Sequence, residues 1–258
     1  MFVCDGNSSE VKSELGVPAL PFDSSPLKPA TMPPHSHILG VILAGGGSRR
    51  MFANEPTGGD KALVEIHGAP MLAHVIKRFA PQVPRLILNA NGDPARYAAF
   101  GLDVIADTLA LDAPTHLNPD IKTSGHGPLA GLLAAMEWAG MHAPQTTSIA
   151  TVSTDVPFLP LTLVQELTAA ASAGKIVLAQ SGEHVQPTIG LWPVALAEDL
   201  KKTLLRGERR AKAFAERYGA IAVSFPFVTI AGREVDPFFN ANTPEDMRTA
   251  RHVLTGQT

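Results

Sequence analysis

Cysteine is nearly absent from this chain of 258 residues: Cys4 is the only one. A disulfide within the chain is thereby excluded, and a cytoplasmic, reducing setting is expected. No apolar run approaches the ~20 residues that a membrane helix needs, and no apolar segment follows a basic start as in a secretory signal. An excess of one charge is missing too. Lys and Arg number 21 against 24 Asp and Glu, a net charge of −3. There is no global basic field to attract nucleic acid, so an anionic substrate has to be held by local cations. The nine histidines form no metal-ligand spacing and no Ser-His-Asp arrangement is visible. What remains is ordinary for a soluble α/β protein: 45% hydrophobic and 17% charged residues, on a chain long enough for one sizeable core.

Residues 1–36 stand apart. They hold six prolines and six serines without sustained periodicity, and read as a disordered arm. Residues 37–258 read as a single domain in which strands and helices alternate. Strands are expected at 38–43, 85–89, 104–106, 148–152, 176–180 and 188–192, with 61–66 extended and His67 to Pro70 a turn. Helices are expected at 71–79, 128–139, 160–173, 194–205, 208–218 and 244–254. Such alternation predicts an α/β fold, a mostly parallel central sheet with helices on both faces.

The most informative stretch is GVILAGGGSRR, residues 40–50. Val41, Ile42 and Leu43 suit a buried parallel strand, and Gly45, Gly46 and Gly47 follow at its carboxyl end, where open α/β sheets bind ligands. Without a Cβ the backbone there can turn sharply and bring N–H groups up to an oxyanion. Ser48 adds a hydroxyl, and Arg49, Arg50 and Lys61 add cations, so the loop reads as a polyphosphate site. It is neither a dinucleotide fingerprint, since Arg50 stands in the last glycine position, nor a Walker A loop, since Lys61 lies between Asp60 and Ala62.

Asp155 ends the strand that begins near Ser148. A carboxylate there points to the same rim as the glycine loop and suits Mg²⁺ alongside phosphate oxygens. The residues alone leave it equally readable as a turn residue before Pro157. Asn89 and Asn91 close the second strand and Asp107 the third. An amide at a strand end reads a base edge or a ribose hydroxyl, or simply stabilises the strand-to-turn transition. Arg209 and Arg210 suit a phosphate monoester, or else a solvated helix face. Thr243 and Pro244 form a helix start, leaving Asn240 and Asn242 alternating on one side of a short strand.

These segments resemble a family. L-A-G-G-x-S-x-R-M followed by D-K, carried by Leu43, Ala44, Gly45, Gly46, Ser48, Arg50, Met51, Asp60 and Lys61, is similar to the signature of nucleotidyltransferases with a Rossmann-like, GT-A-type fold. N-A-N at Asn89, G-P-L-A-G from Gly127, P-T-I-G from Pro187, and the segments around Arg209 and Asn240 bring it nearest to the molybdenum cofactor guanylyltransferases. The resemblance spans residue 40 to about residue 251, interrupted by longer stretches at 52–59 and 108–126 that read as lids over the nucleotide. It implies that residues 43–48 with Asn89 and Asp107 line the nucleotide, that Arg50 and Lys61 neutralise its phosphates, and that Asp155 holds Mg²⁺. It further implies that Pro187, Arg209, Arg210, Asn240 and Asn242 face a pterin acceptor. The implied reaction joins GMP from GTP to the phosphate of molybdenum-molybdopterin, with molybdenum-insertion and client molybdoenzymes as protein partners. Base choice rests on the resemblance alone. A cytidylyltransferase for the same pterin, a sugar-phosphate nucleotidyltransferase and an inactive nucleotide-binding regulator or cofactor chaperone are the competing readings.

Deleting residues 1–36 is expected to leave the thermal midpoint and turnover nearly unchanged, because the arm lacks apolar surface to bury. A loss of several degrees on scanning calorimetry would show instead that it docks on the domain.

Overall fold

Strand β1 (Ile38–Leu43) is buried along its whole length. Ile38 and Ile42 enter one apolar cluster, whereas Leu39, Val41 and Leu43 enter another. A strand apolar on both faces needs a helical layer on each. The first layer is α1 (Met71–Phe79) and α3 (Leu163–Ala169), through Leu72, Val75, Phe79, Leu163, Val164 and Leu167. The second is α2 (Pro128–His142), α4 (Ala197–Leu205) and α5 (Ala211–Arg217), through Leu129, Leu133, Leu200, Leu204 and Phe214. The computed structural model describes residues 35–44, 59–109 and 127–255. The arm up to residue 34, the glycine loop with Gly45, Gly46, Gly47, Ser48 and Arg50, and most of both expected lids lie outside the described residues.

Among the described residues the main sheet has seven strands. β4 (Arg85–Asn89), β5 (Asp103–Ile105), β6 (Ser148–Ser153), β7 (Val177–Ser181), β8 (His184–Pro193) and β9 (Ile221–Phe225) join β1 in the order β5-β4-β1-β6-β8-β7-β9. β1 pairs in parallel with β4 on one side and β6 on the other, and only β8 runs against its neighbours in this sheet. The fold is thus α/β with a mostly parallel sheet, as the alternation predicts. Register places the site. Leu43 lies opposite both Asn89 and Ser153, and Asn89 lies opposite Ile105. Four carboxyl ends are therefore level at one rim, around the strand where the order reverses, and that is where open α/β sheets form their binding crevice.

Several boundaries differ from expectation, each for a local reason. Residues 61–66 are not one extended segment. Asp60 Oδ1 accepts the Ala62 N–H at 3.0 Å, which winds Lys61–Leu63 into a 3-10 turn. Only β2 (Glu65–Ile66) follows, paired with β3 (Ala69–Pro70). The tip between them is His67 and Gly68, both at positive φ (50° and 77°), as a two-residue hairpin demands. The helix expected at 208–218 starts at Ala211 because Glu208 belongs to the end of α4. Gly207 sits at φ 82°, its N–H bonds Leu204 O, and the Glu208 N–H bonds Thr203 O, a Schellman closure. The helix expected at 160–173 is confined to Leu163–Ala169, with Ala171 N–H turning back onto Thr168 O.

Strand β9, the hairpin of β10 (Val228–Ile230) and β11 (Arg233–Val235), and the 3-10 segment Pro94–Phe100 have no counterpart among the expected elements. The expected strand around Asn240 and Asn242 is irregular chain leading into α6 (Pro244–Thr255). That helix covers a smaller cluster of Ile66, Met71, Phe158, Val235 and Met247.

Gly131 on α2 shows how tightly the rim is built. A Cβ there would stand 2.0 Å from Asn89 Oδ1. Alanine normally gains about 1 kcal/mol over glycine inside a helix. Forcing the buried Asn89 amide off its partners costs about 1–3 kcal/mol, with overpacking in addition. Gly131→Ala is thus expected to lower the thermal midpoint, and a raised midpoint would refute this packing.

Candidate active site

Asp155 lies two residues past β6 and meets Lys61 at the rim. Lys61 Nζ is 2.7 Å from Asp155 Oδ2 and 2.7 Å from Asn242 Oδ1. The two charged side chains are only 13% and 14% exposed. Three separate segments converge here, and each has its own anchor. Lys61 is the first residue of the 3-10 turn that Asp60 caps. Asp155 is held by its backbone, whose carbonyl accepts the Ala241 N–H at 3.0 Å. Asn242 is fixed by the start of α6, where the Asp246 carboxylate accepts the N–H groups of Asn242 (2.9 Å) and Thr243 (2.8 Å) and the Asp246 N–H bonds Thr243 Oγ1 (3.1 Å). This reciprocal cap bears out the reading of Thr243 and Pro244 as a helix start.

The second Asp155 oxygen, Oδ1, is buried and has no hydrogen-bond partner among the described residues. An orphaned carboxylate oxygen is costly unless a cation or donor meets it. Asp155 also lines a cleft of about 50 Å³ together with Leu43, Ala44, Asp60, Lys61, Ala62, Ser153 and Thr154. No group of three or more His, Cys, Asp or Glu residues with metal-binding geometry occurs among the described residues. One hard carboxylate with an unpartnered oxygen, beside a cleft, is the donor set that suits Mg²⁺, which is commonly held by one or two carboxylates and completed by phosphate oxygens and water. The residues present therefore fit such an ion.

Asn89 and Asp107 meet on the other side of β1. Asn89 is buried (2% exposed), and its Nδ2 donates to Ile105 O at 3.3 Å and Asp107 Oδ1 at 3.1 Å. These donations tie the end of β4 to β5, the strand-end role weighed from sequence, while Oδ1 faces Gly131 of α2. Asn91 completes the group. Its Nδ2 donates to Asp107 Oδ2 at 2.8 Å, and its Oδ1 accepts the Asp107 N–H at 2.9 Å.

The residues assigned to the acceptor do not all fall in one place. Asn242 joins the Lys61 and Asp155 group, whereas Asn240 Nδ2 donates to Phe238 O at 3.0 Å. Pro187 on β8 shares a small void with Leu43, Pro128, Thr151 and Trp192, and Ser153 Oγ donates to Thr188 Oγ1 at 3.3 Å. Arg209 is half-buried beside Gly127, where an added Cβ would stand 3.7 Å from Arg209 O. Arg210 is exposed at the N-cap of α5 rather than on a helix face. Sequence reasoning missed Asn91 as a partner of Asp107, and Arg96 and Tyr97, which reach Asp60 from the Pro94–Phe100 segment. Nothing in the spacing of those residues announces the contact, because 37 positions separate Tyr97 from Asp60.

A lysine-carboxylate pair at the rim of a mostly parallel sheet, on a chain whose first strand runs in sequence into three glycines, suits a nucleotide-binding α/β protein. Comparison with known proteins narrows this. The family model of the MobA-like NTP transferase domain matches residues 40–221. The molybdenum cofactor guanylyltransferase of Bradyrhizobium sp. (strain ORS 278) is 46% identical over 219 residues, covering 84% of this chain and 92% of that protein. The one from Mesorhizobium japonicum is 42% identical over 224 residues, covering 86% and 98%. Among solved structures, the molybdopterin-guanine dinucleotide biosynthesis protein A of Archaeoglobus fulgidus superposes with a TM-score of 0.57 at 20% identity, covering 84% and 98%. A Mycobacterium tuberculosis protein in complex with manganese superposes with a TM-score of 0.54 at 17% identity, covering 84% and 98%. The chain belongs to the MobA-like NTP transferase family.

Asp155→Asn keeps an acceptor for Lys61 while removing the charge that faces the cleft. Titration with Mn²⁺ followed by electron paramagnetic resonance is expected to show loss of nucleotide-dependent metal binding in a folded protein. Unchanged metal affinity would make Asp155 a turn residue only.

Proposed function

We propose that this protein transfers GMP from GTP to the terminal phosphate of molybdenum-bound molybdopterin, giving the guanine dinucleotide form of the cofactor and pyrophosphate. The carrying observation is the half-buried Lys61–Asp155–Asn242 group, in which one carboxylate oxygen has no hydrogen-bond partner among the described residues. The acceptor and the base are taken from the guanylyltransferases that are 46% and 42% identical to this chain.

A phosphate oxygen of the pterin attacks the α-phosphorus of the nucleotide. The new P–O bond forms as the bond from the α-phosphorus to the bridging oxygen breaks, and pyrophosphate leaves with that electron pair. The attacking oxygen is anionic near neutral pH, so no general base is required. Catalysis is then positioning and charge stabilisation. Lys61 swings between two acceptors it already holds, Asp155 and Asn242, and the incoming phosphates, which it helps neutralise. Arg50 and the N–H groups of residues 45–48 are assigned to the same phosphates by the family signature. Asp155 would hold Mg²⁺, which supplies further charge neutralisation at the phosphates. The family signature assigns residues 43–45 to the base, and Asp107, braced by Asn89 and Asn91, to the nucleotide. Pro187, Arg209, Arg210 and Asn240 are assigned to the pterin side. The setting proposed is the cytoplasm, with molybdenum-insertion and client molybdoenzymes as partners. Among the described residues no helix is long and apolar enough to cross a membrane.

Guanine presents N1–H and N2 amine donors where adenine presents none. A site that supplies fixed acceptors to them discriminates by up to about 10⁴-fold. Pyrophosphate release, measured with molybdenum-loaded pterin and each nucleoside triphosphate, is expected to give the highest kcat/KM with GTP. A higher value with CTP makes the chain a cytidylyltransferase. GTP binding without any turnover favours the regulator reading.

A further inference from the structure

Lys61 is aimed by the residue before it. Asp60 is nearly buried, with its side chain 16% exposed, and both of its oxygens are used. Oδ1 accepts the Ala62 N–H and so winds the 3-10 turn on which Lys61 stands. Oδ2 accepts the Tyr97 hydroxyl and faces Arg96 Nη1 at 3.1 Å. A lone Oδ1 contact leaves the carboxylate free to rotate about its bond to Cβ, and the two donors on Oδ2 remove that freedom. Tyr97 is itself fixed, being 2% exposed in the core that lies under α1. Burial, then the hydrogen bond to Asp60 and its charge, push the phenol far above its ordinary value, so it remains a donor at any working pH.

Arg96 extends the connection. Its Nη2 donates to Asn91 O at 2.8 Å and its Nε to Asp93 O at 3.1 Å, while its guanidinium lies 5.1 Å from the Tyr97 ring centroid. Asn91 is the partner of Asp107. Direct polar contacts therefore run from Asp107 through Asn91, Arg96 and Asp60 to the turn that carries Lys61, and Tyr97 anchors them to the core.

We propose that Tyr97 is a positioning residue for the phosphate lysine: its hydroxyl locks the Asp60 carboxylate, and the locked carboxylate holds the Lys61 turn in the geometry that serves the transferring phosphates. This rests on the reading of Lys61 as a phosphate ligand. A tyrosine whose hydroxyl merely satisfied itself in the core would contribute stability and nothing to turnover. The ring does the packing; the oxygen does the aiming.

Tyr97→Phe separates the two, since it keeps the ring and deletes the oxygen. The hydrogen bond is to a charged acceptor, so its loss is expected to lower kcat about ten-fold. In a Lys61→Ala background the same substitution is expected to cause no further loss, because there is no lysine left to aim. Full kcat in Tyr97→Phe, or an equal factor lost in both backgrounds, would overturn the proposal. Titration of Mg²⁺-pyrophosphate into the four proteins reads the same cycle without turnover, and there too the second substitution should add nothing. If the wild type binds Mg²⁺-pyrophosphate but turns over no nucleotide, the functional reading fails while the binding cycle still decides the role of Tyr97.

Discussion

The site depends on the register of four parallel strand ends. Hydrogen bonding sets Leu43 level with Asn89 and Ser153, and Asn89 level with Ile105. Because β1 is apolar on both faces, it has to lie at the centre with helices above and below. Everything chemical then follows its last residue. Asp155 appears two positions past β6, Asp107 two past β5, and Asn89 at the end of β4 itself. A slip of one residue in β1 would exchange its two faces and bury the wrong set of side chains. The hydrophobic layers thus enforce the geometry of the polar rim.

Lys61 and Asp155 form a nearly buried ion pair, and such pairs are poor evidence of stability because desolvation offsets much of their attraction. Their arrangement makes better sense as a held charge. The lysine neutralises one carboxylate oxygen and leaves the other without a partner among the described residues, so the carboxylate keeps capacity for a second cation. Asn242 provides the ammonium with a neutral acceptor at the same distance. It can give up contact with the carboxylate without being stranded.

Much of this was legible in the residues. The core strands at 38–43, 85–89 and 148–152 can be read because parallel strands are continuous apolar runs, and α1 because Leu72, Val75 and Phe79 recur at helical spacing. Lys61 and Asp155 stand out as charge at strand ends and loops. The misses have physical causes. β9 reads Ile-Ala-Val-Ser-Phe, too short and too mixed to separate from loop. The 3-10 turn at Lys61 depends on one side-chain contact from Asp60. The start of α5 falls later than the pattern suggests because the Schellman closure of α4 consumes Glu208. Tyr97, Asn91 and Asn242 have partners 16 to 181 positions away, and no local pattern encodes a distant partner.

The contact between Lys61 and Asn242 spans 181 residues of sequence, and that separation has a temporal meaning. A ribosome adding ~5–20 residues per second needs roughly ten seconds or longer to make the second partner after the first. During that interval β1, β4, β5 and β6 can already be emerging as a sheet, but the lysine has no asparagine and Asp155 lacks the Ala241 N–H on its carbonyl. A nascent or prematurely terminated chain can therefore own the central strands without owning the finished cation cluster. The Lys61–Asp155–Asn242 group is therefore complete only once the stretch just before α6 has been made.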